Sequence, residues 1–114
     1  MLNDPGEAPA VTAEPAVAQA ALDWGNWLTH ERRASPHTRA AYGRDLARFL
    51  GFLTEHLGFP PGLQDLEGLT QADFRGFLAR RRAEGLSAPS LARGLASLRG
   101  FFRFLDRSGL VRNT

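Results

Sequence analysis

SPHTRAAYGRDLARFLGFLTEHLG, Ser35 to Gly58, carries both ends and the packing face of one helix. A serine followed at once by a proline suits the start of a helix. The serine oxygen accepts from a free first-turn N–H, and proline lacks an N–H where none is needed. From there Tyr42, Leu46, Phe49, Leu50, Leu53 and Leu57 recur at the three-and-four spacing of one helix face. Gly58, followed by Pro60, Pro61 and Gly62, ends the segment.

Working outward, the same punctuation marks three more helices. Upstream, a helix is expected from Pro15 to Arg33. Its packing stripe is Ala18, Ala21, Leu22, Gly25 and Leu28, broadened by Trp24 and Trp27. Downstream, a loop carries Leu63, Leu66 and Leu69 as plugs for the core. Thr70 with Asp73 is a weak capping box for a third helix, which buries Phe74, Phe77 and Leu78 and stops at Gly85. Ser87 caps a fourth, with Pro89 tolerated in its first turn and Gly109 at its end. The stripe of this last helix is Leu91, Leu95, Leu98, Phe101, Phe102 and Leu105. Nowhere does apolar/polar alternation persist for the length of a strand. The expected fold is all-α, a compact four-helix bundle over residues 15–114 behind a disordered leader, MLNDPGEAPAVTAE, at residues 1–14.

The 114 residues are one domain's worth, 43% hydrophobic as in ordinary globular folds. No apolar run approaches the roughly 20 residues needed to span a bilayer. No secretory signal is visible, so no membrane partner and a cytoplasmic location are expected. The absence of cysteine removes disulfides, thiolate nucleophiles and Cys-based zinc sites. The formal net charge of +2 hides a segregation. Residues 1–31 hold Asp4, Glu7, Glu14, Asp23 and Glu31 and no arginine, whereas all 14 arginines lie in residues 32–114 beside seven acids. A basic body behind an acidic leader points to a polyanionic partner, of which nucleic acid is the commonest. Lysine is absent. A GC-rich genome accounts for that more simply than selection for arginine's planar fork.

Catalytic patterns are missing. His30, His37 and His56 are scattered without ligand spacing, and a phosphate-binding loop is impossible without lysine. Ser35, Ser87, Ser90, Ser97 and Ser108 have no base partner at motif spacing, and Tyr42 falls on an apolar stripe. No cofactor or metal is implied. Surfaces suited to DNA are easier to find. Opposite the Leu46/Leu53 stripe lie His37, Ala41, Arg44 and Arg48, with Ser35, Thr38 and a free helix N-terminus at one end. Opposite Leu95 and Leu98 lie Arg93, Ala96, Gly100, Arg103 and Arg107, with Ser90 and Ser97 on the flank. Asp45, Glu55 and Asp106 are available to neutralise some of these arginines, which would leave ordinary solvated faces. Two capped basic helices in one small domain nevertheless favour groove binding, since a major groove admits a helix. The Arg80-Arg81-Arg82 run suits a helix C-terminus without any DNA.

Three stretches in order resemble the N-terminal core-binding domain of tyrosine recombinases of the XerC/XerD type. These are ERRASPHTRAAYGRDLARFLGFL (Glu31 to Leu53), LTQADFRGFLARR (Leu69 to Arg81) and GLSAPSLARGLASLRGFFRFL (Gly85 to Leu105). The resemblance covers roughly residues 17–114, and the DFRGFLARRR and SLRGFFRFLDRSG wording is closer to XerC than to XerD. It implies a SAM-like helical bundle that clamps one face of a recombination site, with the second and fourth helices entering adjacent major grooves. Thr38 matches a phosphate-contact position. Ala40, Ala41 and Arg44 match groove-facing positions of one helix, and Ser90 and Arg93 those of the other. Three positions depart from the pattern. Arg39 stands where an aliphatic residue is usual, free to meet an acid or a phosphate. Gly94 replaces a common second arginine, and Ala96-Ser97 reverses the usual order.

The resemblance also implies that the catalytic residues belong to a separate C-terminal domain beyond Thr114, so no catalysis is expected within this chain. The complete enzyme would cleave and rejoin duplex DNA through a phosphotyrosine bond. It would need no metal or nucleotide, act as a tetramer of sister recombinase subunits, and resolve chromosome dimers. The corresponding arm of a phage or integron integrase is an alternative with the same chemistry. A helical protein-interaction domain is the alternative of another class.

Overall fold

A computed structural model describes residues 11–112. Among the described residues five helices follow one another: α1 (Pro15–His30), α2 (Pro36–Leu57), α3 (Leu63–Glu67), α4 (Gln71–Ala83) and α5 (Ala88–Arg107). No strand occurs among the described residues. The all-α expectation holds with one helix more than the four expected. The addition is α3, where a loop was expected around Leu63 and Leu66. The Asp65 carboxylate accepts from the Gly62 N–H at 2.8 Å and starts a short helical turn, and that turn delivers Leu66 into the core fully buried. None of the described helices is long and apolar enough to cross a membrane.

Of the leader expected over residues 1–14, residues 1–10 lie outside the described residues. Residues 11–14 are held against the bundle. Val11 and Ala13 pack on the core, and the Glu14 N–H donates to the Pro61 carbonyl at 3.0 Å. The first helix ends at His30, short of the expected Arg33. Arg33 takes a left-handed φ of 51°, and the Ala34 N–H turns back to the Leu28 carbonyl at 2.8 Å. The chain must leave the helix here, because Ser35 has to be extended (φ −63°, ψ 156°) to cap α2. The inward stripe of α1 is also rotated from the expected one. Val17, Ala20, Ala21, Trp24, Gly25 and Leu28 are buried, while Leu22 is 52% exposed. Trp24 sets that phase: a side chain of the largest kind, 2% exposed, takes the centre of the buried face.

Three helices begin on side-chain caps. Ser35 accepts from the Thr38 N–H at 3.1 Å, and Ser87 from the Ser90 N–H at 3.4 Å. Thr70 and Asp73 form the reciprocal capping box, with the Thr70 N–H donating to Asp73 at 2.7 Å and the Asp73 N–H returning to the Thr70 hydroxyl at 3.4 Å. Gly58 ends α2 at φ 90°, a left-handed conformation that glycine adopts without steric cost.

The interior is a continuous chain of rings. Tyr42 stacks on Trp24 at 6.0 Å between centroids, and Trp24 meets Phe101 at 5.3 Å. Phe101 meets Phe102 at 6.0 Å, Phe102 meets Phe49 at 6.3 Å, and Phe49 meets Phe77 edge-on at 5.1 Å. The chain of contacts thus links α1, α5, α2 and α4 through Phe49, which is fully buried and also stacks on Phe74 at 5.5 Å. Around it lie Leu46, Leu50, Leu53, Leu98 and Leu105, each at most 3% exposed.

Phe49→Ala removes the ring shared by three others and should lower the unfolding free energy by about 3–5 kcal/mol, a large part of the total for a small domain. Chemical denaturation of the wild type and variant measures it. A second prediction concerns Asp73, whose carboxyl is held below its ordinary value of 3.8, first by the Thr70 N–H and then by His56 at 2.8 Å. The folded group binds its proton less tightly than the unfolded one, so its contribution is present above the ordinary value and is lost as pH falls through the lowered one. Asp73→Asn should therefore melt below wild type at neutral pH. The gap should close as the pH is taken below 3.8, as followed by circular dichroism.

Candidate nucleic-acid interface

Packing the apolar stripe of α2 inward leaves its opposite face in water. Arg44 and Arg48 are exposed there, and Ala40 and Ala41 beside them are half-buried. His37 is exposed one turn before Ala41. No acid among the described residues forms an ion pair with Arg44 or Arg48. Small side chains beside two free guanidiniums let another surface approach the helix closely. At the N-terminus Ser35 and Thr38 are both exposed, and their hydroxyls lie 3.0 Å apart. The start of α5 is built alike, with the Ser87 and Ser90 hydroxyls 3.1 Å apart. Each helix thus presents a hydroxyl pair at its positive dipole end, a setting suited to an anion.

The outward face of α5 is more divided than its sequence suggested. Ala96 and Arg103 point outward, and exposed Arg99 joins them. Gly100 is turned toward α1, where a Cβ would lie 3.6 Å from Trp24. Arg107 lies over the Trp27 ring at 5.1 Å, with Arg32 over the same ring at 5.7 Å. Ser97 requires correction. It was expected on the flank of the DNA face and is instead 0% exposed, its hydroxyl 2.8 Å from the Gly94 carbonyl and 3.4 Å from Asp45. The helix turns Ser97 inward together with Phe101, so it cannot touch a ligand on this face.

Arg93 is held in place. Its Nε donates to Asp45 Oδ2 at 3.2 Å and its Nη2 to Asp45 Oδ1 at 3.1 Å, joining α5 to α2. Asp45 is 5% exposed, whereas the Arg93 side chain is 43% exposed. The hydrogen bonds that Asp45 accepts, and then its charge, hold the Arg93 guanidinium above its ordinary range. Asp45 was legible as a possible partner for arginine but not as this buried anchor. Its signal was the position itself, an acid one turn from Phe49 on the inward side of the stripe.

Four other acids of the basic body are also engaged inward or along the surface. Glu55 pairs with Arg80, and Glu84 with Arg81 at 2.6 Å. Asp73 and Asp65 serve the caps already described. Arg81 is itself buried, and Arg80 lies over the Phe52 ring at 5.2 Å. The arginine run is therefore largely structural. It borders a cleft of about 230 Å³ that also takes in Arg48 and Glu55. Arg39 meets no acid among the described residues. Its guanidinium lies flat against α1, with Nη2 3.2 Å from where a Cβ on Gly25 would stand. A side chain at that position would press the guanidinium aside.

The profile of the phage integrase N-terminal SAM-like domain matches residues 23–109. Among curated proteins, the chain is similar to the tyrosine recombinase XerC of Rhodospirillum centenum, 51% identical over 100 residues. That match covers 88% of this chain and 29% of the relative. It is also similar to the tyrosine recombinase XerC of Mesorhizobium japonicum, 50% identical over 101 residues, covering 89% and 32%. A third, from Rhizobium meliloti, is 51% identical over 97 residues, covering 85% and 30%. The chain thus spans about a third of the length of the relatives it matches. No solved structure matches it. On the match across most of its length, the chain belongs to the family of phage integrase N-terminal SAM-like domains.

Proposed function

We propose that this chain is the N-terminal DNA clamp of a XerC-type tyrosine recombinase and grips duplex DNA through the outward faces of α2 and α5. The observation that carries the reading is the placement of charge. Arg44 and Arg48 on α2, and Arg99 and Arg103 on α5, are exposed with no acid paired to them among the described residues. Four acids of the basic body are meanwhile spent on Arg93, Arg80, Arg81 and His56. A helix fits the major groove, and free guanidiniums at its borders neutralise the flanking phosphates. Ser35, Thr38 and Ser90, at the helix starts, add hydroxyl and N–H donors toward the backbone.

The chain supplies positioning and grip. The remaining two thirds of the parent would supply the nucleophile and its activating groups, cleaving and rejoining DNA through a phosphotyrosine bond within an assembly of recombinase subunits that resolves chromosome dimers. A single clamp makes only part of the parent's contacts, so the isolated chain binds modestly and with limited selectivity.

A salt titration on a duplex of fixed sequence tests the proposal. The logarithm of affinity should fall linearly with the logarithm of salt concentration, with a slope of about −0.9 for each phosphate neutralised. Arg44→Ala and Arg48→Ala should each weaken binding and reduce the magnitude of that slope by about one. Absence of duplex binding at low salt, or a slope indifferent to both substitutions, would contradict it and favour a protein-interaction domain.

A further inference from the structure

Arg93 stands apart from the other arginines on the outward faces of α2 and α5, because among the described residues it alone of that set has an ionic partner. That partner is buried, and the contact is side-on, through Nε and Nη2. A guanidinium carries five N–H donors in one plane. Two face Asp45. Of the three that remain, one on Nη1 and one on Nη2 form the end-on fork, on a side chain that is 43% exposed. Asp45 is itself backed by Ser97, whose hydroxyl is fixed by the Gly94 carbonyl. The fork therefore has a fixed direction before any ligand arrives.

The pairing changes what Arg93 can offer. Its positive charge is largely cancelled at long range by Asp45, so it adds little to the sequence-independent attraction that free cations exert on phosphate. Its donors are undiminished, and their orientation is set in advance. A fixed planar fork with little net charge suits two in-plane acceptors on a base edge, and guanine O6 and N7 present such a pair in the major groove.

The geometry points to a division of labour in which Arg93, positioned by Asp45, reads a guanine edge while the unpaired Arg44 and Arg48 neutralise phosphates. This rests on the DNA-binding reading and refines it. Asp45 is then a positioning residue, and the pair supplies selectivity where the other arginines supply affinity.

The test uses the full chain on two probes: a duplex library with a randomised centre, sequenced after selection at low salt, and one duplex of fixed sequence for the salt slope. The wild type should enrich guanine at one or more positions. Arg93→Lys keeps the charge and a partner for Asp45 but loses the fork. It should reduce that preference about tenfold and leave the slope unchanged. Asp45→Asn should lower the preference while strengthening binding to the fixed duplex and steepening its slope by up to about one, because Arg93 becomes a free cation. A purely structural role for Asp45 would weaken both together. Far-UV circular dichroism at the binding temperature reports folding, and Arg93→Lys carries the test if Asp45→Asn unfolds. Retention of the selected sequence by Arg93→Lys overturns the proposal while leaving DNA binding intact. Failure of the wild type to bind the fixed duplex at low salt overturns the DNA-binding reading itself.

Discussion

Phe49 is the ring on which the arrangement depends. It is fully buried and meets Phe74, Phe77 and Phe102, so the packing of α4 and of α5 against α2 is decided at one side chain. A helix has one phase. Once Phe49 and its neighbours Leu46, Leu50 and Leu53 face inward, Arg44 and Arg48 have no choice but water. The same holds for α5, where burying Leu98, Phe101 and Leu105 turns Ala96, Arg99 and Arg103 outward. Hydrophobic burial thus aims the cations without touching them.

Ion pairing then divides the arginines into two classes. Arg80 and Arg81 are tied to Glu55 and Glu84 at the end of α4, and one of them is buried. Such pairs fix local geometry and contribute modestly to stability where they are exposed. Arg44, Arg48, Arg99 and Arg103 carry no such partner among the described residues and retain their field. Arg93 belongs to neither class. It is exposed like the second group and paired like the first, and its partner lies inside the α2–α5 contact.

Much of the fold was legible because its signals are local. Ser35-Pro36 and Ser87 with Pro89 mark helix starts through capping geometry alone, and Gly58 marks an end through backbone freedom. What escaped depends on tertiary packing. The phase of α1 was misjudged at Leu22 because Trp24 seeks Tyr42 and Phe101, and neither neighbour is visible from the spacing of α1 itself. The α3 turn is too short to show a period, and Asp65 acts there only because Gly62 lies within reach. On the candidate interface, Arg44 and Arg48 were recoverable from helical phase. Ser97 was not: it lies at the border of the stripe, and the inward-facing Asp45 and the Gly94 carbonyl give its hydroxyl a buried environment. Periodicity counts residues around a helix but cannot say where a polar side chain finds a partner inside.

On the proposed function, one surface, formed by the outer faces of α2 and α5, meets duplex DNA. Amide chemical-shift mapping of the labelled chain during titration with a short duplex tests it most directly. The largest changes should fall on Ser35 to Thr38, Arg44, Arg48 and Ser90 to Arg93, with the outer side of α1 around Leu22 unmoved. Changes centred on Leu22 and its neighbours, or no changes at low salt, would contradict it.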